Sequence, residues 1–530
     1  MMHAMPDDQV RESSETRTPL VLALDIGTSS VRAAVFDASA REIENTMSRI
    51  ERTLCTTQDG GAEINADEAA AQVAQAIDNT LARFDAANLN AEIEIVATSC
   101  FWHSLVGVDG EGRAATPVYG WADTRAVNAA EELKRRFDER ATHARTGCRF
   151  HSSYWPAKLL WLSAEQSDVY KTVARWMSFG EYVALRFFGE TAVSVSMASG
   201  TGLLVTRTCT WDAELLAGLG LSSEKLSRLA NSDKTFTRLT ENYARRWPRL
   251  RHARWFPALG DGAANNIGEG CVTSERAALM IGTSGAIRVM HEGELSASIP
   301  PELWCYRADS RRTVCGGALS DGGGLYHWMS ATLAFSHEAK AAEDALAAME
   351  PDAHGLTLLP FWAGERSTGW SAAARGAILG FTMHTQPLDI LRAAMEAVAY
   401  RFALIARALC ALATQTEIFA SGGALHASPV WTQMLADVLN RQLTLSAVHE
   451  ASSRGAVLHA LEATGTIKNI ADIDAPRAQT FDPEATRHAR YMLGLERQEK
   501  LYARLISDAE AASIIGETAL NEPHTDKRRC

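Results

Sequence analysis

The 530-residue chain has no cysteine framework: its nine cysteines are scattered without a CxxC pair or a metal-ligand spacing. An odd count without a secretory signal predicts reduced thiols in a cytoplasmic protein. Cys100, Cys271 and Cys315 stand in apolar or Gly-rich surroundings and are expected as small core residues. The opening residues, MMHAMPDDQVRESSETRT, carry acidic groups and no apolar h-region, and no later run is long enough to span a bilayer. Membrane contact is therefore not expected. The GxxxxGK[ST] phosphate loop is missing, as are the GxGxxG of dinucleotide enzymes and the HExxH of zinc peptidases. GTSGA at 282–286 falls one residue short of the GxSxG hydrolase elbow. A basic surplus is absent too: 52 Lys and Arg against 64 Asp and Glu leave a formal charge of −12, which argues against a nucleic-acid groove. It does not exclude ATP, because a phosphate site is built locally from backbone N–H groups, one or two cations and a metal.

The chain is too long for one core, so two large domains are expected. The boundary is placed near residue 272, giving an N-terminal domain over 19–272 and a C-terminal domain over 273–505. Residues 1–18 and 506–530 are expected to be flexible tails. VLALDIGTSSVRAAVFD (21–37) reads as a β-hairpin with a Gly-Thr-Ser turn, followed by a helix near 66–84 and a strand at 93–98. Pro156 suits the first turn of a helix, and Glu181 reads as a helix cap. ALMIGTSGAIRVM (278–290) starts a second strand–turn–strand unit, its IGTS at 281–284 repeating the IGTS at 26–29. The copies are unequal. Asp25 precedes the first turn, whereas Met280 holds that place in the second. A long helix near 388–410 then leads to the strand, Gly loop and helix of IFASGGALHASPVWTQMLADVLN (418–440).

Asp25 lies at a strand end before Gly27, Thr28 and Ser29. Glycine permits close approach to a phosphate, and hydroxyl and N–H groups donate to its oxygens. A carboxylate beside phosphates implies magnesium between them. Arg32, across the hairpin, reaches toward a transferring phosphoryl group. The same segment also reads as a tight hairpin that Asp25 merely caps. Asp261 in LGDGAANNIGEG is exposed by flanking glycines, with Asn265 and Asn266 nearby. A carboxylate there could take the proton of an attacking hydroxyl, while an ordinary Asp-Gly turn is the plainer reading. Trp102 and His103, with Trp121, Asp123 and Arg125 of GWADTRA, could line a carbohydrate pocket, or simply pack. Gly422 and Gly423 follow a strand and could admit an adenosine, with Ser421 and Ser428 as ordinary caps.

In this order, LALDIGTSSVRAAVFD, WADTRA, GDGAANNIG, IGTSG, GGALSDGG, GERSTGW with its following ARG, and ASGGALHASPVWTQMLADVLN resemble the FGGY carbohydrate kinases. The resemblance spans about residues 19–505. SCFWHSLVGVD, HSSYWPAKLLWL and SMASGTGLL make it greatest toward that family's gluconate kinases. It implies an α/β fold of two ribonuclease-H-like domains of the actin/hexokinase type, closing over a cleft. It also implies ATP and Mg2+ as cofactors. Asp25 resembles the metal-associated aspartate, and Thr28, Ser29 and Arg32 the other polar positions of the first phosphate loop. Gly282 and Thr283 match the second loop, and Gly422 and Gly423 the loop near the adenosine. Asp261 matches the base, and Trp102 and His103 the sugar-contacting pair, with tryptophan where methionine is frequent.

The resemblance further implies phosphorylation of D-gluconate to 6-phospho-D-gluconate. Arg125, His103, Arg149 and His151 are the groups that could meet its carboxylate. A pentulose or polyol kinase, such as a xylulose kinase, is the alternative within the family. A non-catalytic ATP-binding sugar sensor and an actin-fold ATPase are the alternatives outside it. Expected partners are a small sugar or sugar acid and ATP, with neither nucleic acid nor membrane, and a homodimer is compatible. Three positions depart from the family pattern: Asp321 where asparagine is usual, Thr368 where proline is usual, and Gly262 where pentulose kinases often have a polar residue.

Overall fold

The computed structural model describes residues 17–87, 91–230, 233–293, 298–333, 339–414 and 416–507. The expected tails, 1–18 and 506–530, lie almost wholly outside them. Among the described residues no helix is long and apolar enough to cross a membrane.

The first sheet is built from β1 (Leu20–Ile26), β2 (Ser30–Phe36), β3 (Ser48–Glu51), β4 (Ile93–Cys100), β5 (Arg254–Trp255) and β6 (Leu259–Gly260). Its order is β5-β4-β1-β2-β3, with β6 continuing along β4. β1 is buried at every position, as befits a central strand covered on both faces. It pairs antiparallel with β2 through the expected hairpin and parallel with β4. The connection to β4 runs through α1 (Ala66–Ala86). Asn65 caps this helix by accepting from the N–H groups of Asp67 and Glu68, and Val73, Ile77, Leu81 and Phe84 form its buried stripe. Next come α2 (Trp155–Glu165), with Pro156 in its first turn, and α3 (Phe179–Phe188), where Ser178 and Glu181 form a capping box. α4 (Asp261–Gly268) follows β6 directly.

The second sheet comprises β7 (Arg276–Ile281), β8 (Gly285–Glu292), β9 (Trp304–Arg307), β10 (Arg312–Leu319), β11 (Glu417–Ser421), β12 (Leu443–Ser446) and β13 (Arg477–Phe481), in the order β9-β10-β8-β7-β11-β12-β13. Its helices are α5 (Gly323–Thr332), α6 (Pro387–Leu409), α7 (Gly423–Ala427), α8 (Pro429–Leu439), α9 (Ala451–Ala463) and α10 (Ala485–Leu505). The repeated IGTS segments have equivalent places. In each sheet the first strand pairs antiparallel with the next and parallel with the strand that returns on its other side.

The two halves are not cleanly separated in sequence. α9 packs against α4, and its Ala456, Val457, Leu458, Ala460 and Leu461 are buried in the core of the first sheet. The helices meet at backbone distance: a Cβ on Gly455 would lie 1.8 Å from the Ala264 carbonyl oxygen, and one on Gly268 would lie 1.8 Å from that of Ala451. The edge strand β9 is bonded to the first half as well. The Cys305 N–H donates to the Gly147 carbonyl at 2.9 Å, and the Arg307 N–H to Ser199 Oγ at 3.0 Å.

The expectation of reduced thiols is corrected: Cys305 and Cys315 stand directly opposite on β9 and β10 and are joined as a disulfide, and Cys55 is disulfide-bonded as well. The ladder brings side chains ten residues apart face to face, a proximity that cysteine spacing in the sequence does not reveal. Cys100 and Cys271 are buried free thiols, as expected.

Candidate active site

Three adjacent strands of the first sheet end at one level. Asp25 on β1 is in register with Ser99 on β4, and Gly260 on β6 with Cys100. The segments leaving these ends therefore converge: the Gly27–Ser29 turn, the pair Trp102–His103, and Asp261 at the start of α4. Ligands in open α/β sheets bind beyond such carboxyl ends. In the second sheet, Met280 on β7 is in register with Ser421 on β11, so the 282–284 turn adjoins Gly422. Gly422 has φ 100°, and a Cβ there would lie 2.3 Å from the Ile281 carbonyl oxygen. Gly423 borders open space. Gly322, Gly323 and Gly324 donate backbone N–H groups to the carbonyls of Thr283, Gly282 and Thr283, forming a bed under that turn.

The Asp261 carboxylate accepts from the N–H of Gly262 at 2.8 Å and of Trp102 at 3.3 Å, both at Oδ1. Burial raises its pKa, opposed by Arg288 and reinforced by Asp25. Burial raises that of Asp25 too, against Arg32 and Ser99; Arg32 Nη1 donates to Asp25 Oδ2 at 3.0 Å and lies 3.5 Å from Glu450. The Asp25 charge that helps raise the pKa of the half-buried Asp261 makes the space beside the two carboxylates suited to a cation.

Trp102 is almost fully buried. Its Nε1 donates to the Ser196 carbonyl at 3.0 Å, and its ring lies where side chains at Gly200, Gly260 and Gly262 would be. The glycine at 262 is thereby explained: a Cβ would lie 2.4 Å from the indole and 2.7 Å from Arg288 Nη1. His103 has φ 66°, and Nδ1 donates to the Gly200 carbonyl at 2.6 Å. Burial and then Arg366 push its pKa well below the ordinary value, so it is neutral, with Nε2 left as an acceptor. Lys158 holds the His103 carbonyl at 3.1 Å and that of Ser153 at 2.7 Å.

The WADTRA segment divides its roles. Trp121 lines a cavity of ≈ 350 Å³ between the two halves. Asp123 and Arg125 bind each other and their own surroundings. The Arg125 guanidinium donates to Asp123 and to Glu63 at 2.9 Å and lies over the rings of Tyr119 and Trp161, while Asp123 also accepts the Ala62 N–H at 3.2 Å. Arg149 is likewise engaged, with Glu139 at 2.6 Å and the Pro301 carbonyl at 3.0 Å. Burial, then Arg366, lowers the His151 pKa to about 3, so its ring is neutral.

Several neighbours of the site escaped the sequence reading. Arg288 on β8 donates to Asn265 Oδ1 at 3.0 Å and opposes the pKa rise of Asp261. Arg366 of the GERSTGW segment faces His103 Nε2 at 3.4 Å. Trp304 and Tyr306 on β9 place their rings 6.0 and 4.9 Å from that of Trp102. The continuous apolar run Leu303–Tyr306 could have flagged β9 as a strand, but nothing local indicates that it faces the first half. Elsewhere Asp352, His354 and Glu396 converge. Arg392 and Tyr400 bind Glu396 at 2.8 and 2.9 Å, and Arg497 pairs with Asp352, so that group is a closed structural network.

The model of the FGGY carbohydrate kinase N-terminal domain matches residues 20–268, and that of the C-terminal domain residues 277–464. The chain belongs to the FGGY family of carbohydrate kinases. The kinase is 28% identical to a gluconokinase of Bacillus subtilis (strain 168) over 465 residues, 86% of this chain and 89% of that one. Among solved structures it is similar to a gluconate kinase from Lactobacillus acidophilus (TM-score 0.81, 25% identity, covering 92% of this chain and 98% of that one). A ligand-bound xylulose kinase from Lactobacillus acidophilus is similar to the same degree (TM-score 0.83, 26% identity, covering 93% and 99%).

Proposed function

We propose that the kinase transfers the γ-phosphoryl group of ATP to the terminal hydroxyl of D-gluconate, giving 6-phospho-D-gluconate and ADP. The observation that carries the phosphoryl-transfer chemistry is Asp261, a half-buried carboxylate at the strand ends whose Oδ1 is held by two N–H groups and whose Oδ2 takes no protein hydrogen bond among the described residues. Asp261 takes the hydroxyl proton as the substrate oxygen bonds to the γ-phosphorus, and the bond from that phosphorus to the β–γ bridging oxygen breaks. Thr28, Ser29 and Arg32 on one side, and Gly282 and Thr283 on the other, receive the phosphates; Gly422 and Gly423 leave room for the adenosine. Magnesium would supply the positive charge that phosphate oxygens need, and the mutually opposed Asp25 and Asp261 suit it, with Asp25 on the metal side. Closing the cleft excludes water, which limits ATP hydrolysis.

Gluconate is favoured by the similarity to two proteins named for it and by the cations near His103. A pentulose is the second reading, favoured by the equally similar xylulose kinase structure. A coupled ADP-release assay against D-gluconate, D-xylulose, L-ribulose, L-xylulose, erythritol and glycerol distinguishes them. The kcat/KM for gluconate should exceed that for every neutral sugar, and a higher value for any neutral one overturns the substrate. Asp261→Asn should lower kcat by roughly 10²–10⁴-fold with a smaller effect on the KM for ATP. A D261N enzyme within about threefold of wild-type kcat would remove Asp261 as the base.

A further inference from the structure

The cavity of ≈ 350 Å³ is walled by Trp121, His151 and Ser152 of the first half and by Trp362, Arg366 and Arg375 of the second. Arg375 is held on the carbonyls of residues 372–374. Arg366 differs, having no carboxylate partner among the described residues. Its guanidinium lies over the Trp121 ring at 5.4 Å from the centroid, and its Nε is buried without a hydrogen-bond partner. The adjacent Glu365 cannot serve it, because that carboxylate accepts from Arg401, from Tyr502 Oη at 2.6 Å and from the N–H groups of Thr368 and Gly369. The Ser152 hydroxyl, buried in the same wall, has no partner either. Half-buried, with Nη2 on His103 Nε2 at 3.4 Å, its Nε unpaired and no carboxylate beside it, the Arg366 guanidinium has donors to offer an anion in the cavity.

We infer that Arg366 and His103 together read an α-hydroxy carboxylate, Arg366 binding the carboxylate and His103 Nε2 accepting the hydroxyl on the adjacent carbon. The chemistry of the pair selects this group. A guanidinium offers a fork of donors to two carboxylate oxygens. A neutral imidazole whose Nδ1–H is already donated to Gly200 offers only the Nε2 lone pair, which now faces Arg366 Nη2 at 3.4 Å and, with that guanidinium turned to a carboxylate, would accept a hydroxyl and repel a carboxylate oxygen. The backbone connects this end to the base: Trp102 donates its N–H to Asp261, and the next residue is His103. A sugar acid lying along that segment has its anionic end at Arg366 and a hydroxyl toward Asp261. A neutral pentulose leaves Arg366 unpaired.

This inference rests on the gluconate reading above, and the test separates the two. Steady-state kcat/KM for D-gluconate, 2-deoxy-D-gluconate, other 2-hydroxy sugar acids and D-xylulose is measured on the wild type, Arg366→Gln, Arg366→Lys and Arg125→Gln. ATP affinity by calorimetry reports that each variant is folded. R366Q should lower the gluconate-to-xylulose ratio by about 10²-fold, the scale of a charge-assisted bidentate contact, while R125Q moves it far less. The wild type should lose roughly tenfold on the 2-deoxy acid. If R366Q does not bind ATP, the same ratio is read on R366K, whose point charge cannot bind bidentately. A wild type that prefers gluconate while R366Q keeps the ratio within about threefold overturns the inference and leaves the gluconate reading intact. So does a collapse in R125Q that R366Q does not share, and a 2-deoxy acid as good as gluconate overturns the part given to His103. A wild type that prefers another 2-hydroxy acid, with the preference lost in R366Q, supports the inference and overturns gluconate. A preference for neutral sugars overturns both.

Discussion

At the scale of single residues, Asp321 shows what a departure from the family pattern does. It lies between β10 and α5, beside the 282–284 turn, and accepts the Ala363 N–H at 2.9 Å. Burial raises its pKa from 3.8 to about 6. The folded state therefore binds more protons than the unfolded state between these values. Stability is gained as pH falls through about 6 and the gain is complete below 3.8, whereas at pH 8 the buried charge opposes folding. The difference corresponds to at most about 3 kcal/mol. Asp321→Asn, which keeps an oxygen for the Ala363 N–H, should raise the Tm at pH 8 and change it little at pH 4.5. An equal change at both values would show that the charge is not responsible. The same residue-by-residue view explains what sequence could and could not disclose. The strand-end positions of Asp25 and Asp261 were legible because short glycine-bearing motifs mark them, and that of His103 because an apolar strand runs up to it. Arg366 was not, because its neighbour Glu365 is an obvious partner on paper, yet consecutive loop residues point apart. Arg125 was legible as a cation, and its engagement with Glu63 was not, since that contact joins distant segments.

At the scale of elements, both hairpins were legible from short apolar runs around a repeated turn, and α1 and α6 from their apolar stripes. The placement of α9 was not. Its sequence lies deep in the second half and nothing local states that it belongs to the first core, because two sheets offer apolar faces of the same chemistry. The fit is set by glycine instead: Gly455 against Ala264 and Gly268 against Ala451 bring α4 and α9 together at backbone distance. Gly455→Ala forces a methyl onto a carbonyl that has no rotamer to move aside, so the helices must separate. Overpacking of this kind destabilises by about 1–3 kcal/mol. Because Asp261 is the first residue of α4, the same shift should displace this proposed base. G455A is expected to lower both the Tm and kcat, with KM for ATP less affected. Unaltered kcat in a variant of lowered Tm would show that α4 moves without carrying Asp261 out of place.

At the scale of the whole molecule, the attachments between the halves are unevenly distributed. α9 is buried in the first core, and β9 is bonded to Gly147 and Ser199 and stacks Trp304 and Tyr306 beside Trp102. Among the described residues no hydrogen bond joins the Gly27–Ser29 turn to the Gly282–Ser284 turn. The second half is therefore pinned at β9 and α9 and unbonded where the phosphates would lie, which is the arrangement of a hinge with an open mouth. ATP and sugar acid that contact both turns favour the closed state by their differential affinity for it. Hydrogen exchange on the kinase alone, with ATP analogue, and with analogue plus gluconate should show protection appearing at the turns around 27–29 and 282–284. The amides of 304–307 and 451–463 should be slow in all three conditions, since their bonds exist before any ligand arrives. Exchange at 304–307 that slows as much as at the turns would mean that β9 docks only on closure, and the pivot would then lie elsewhere.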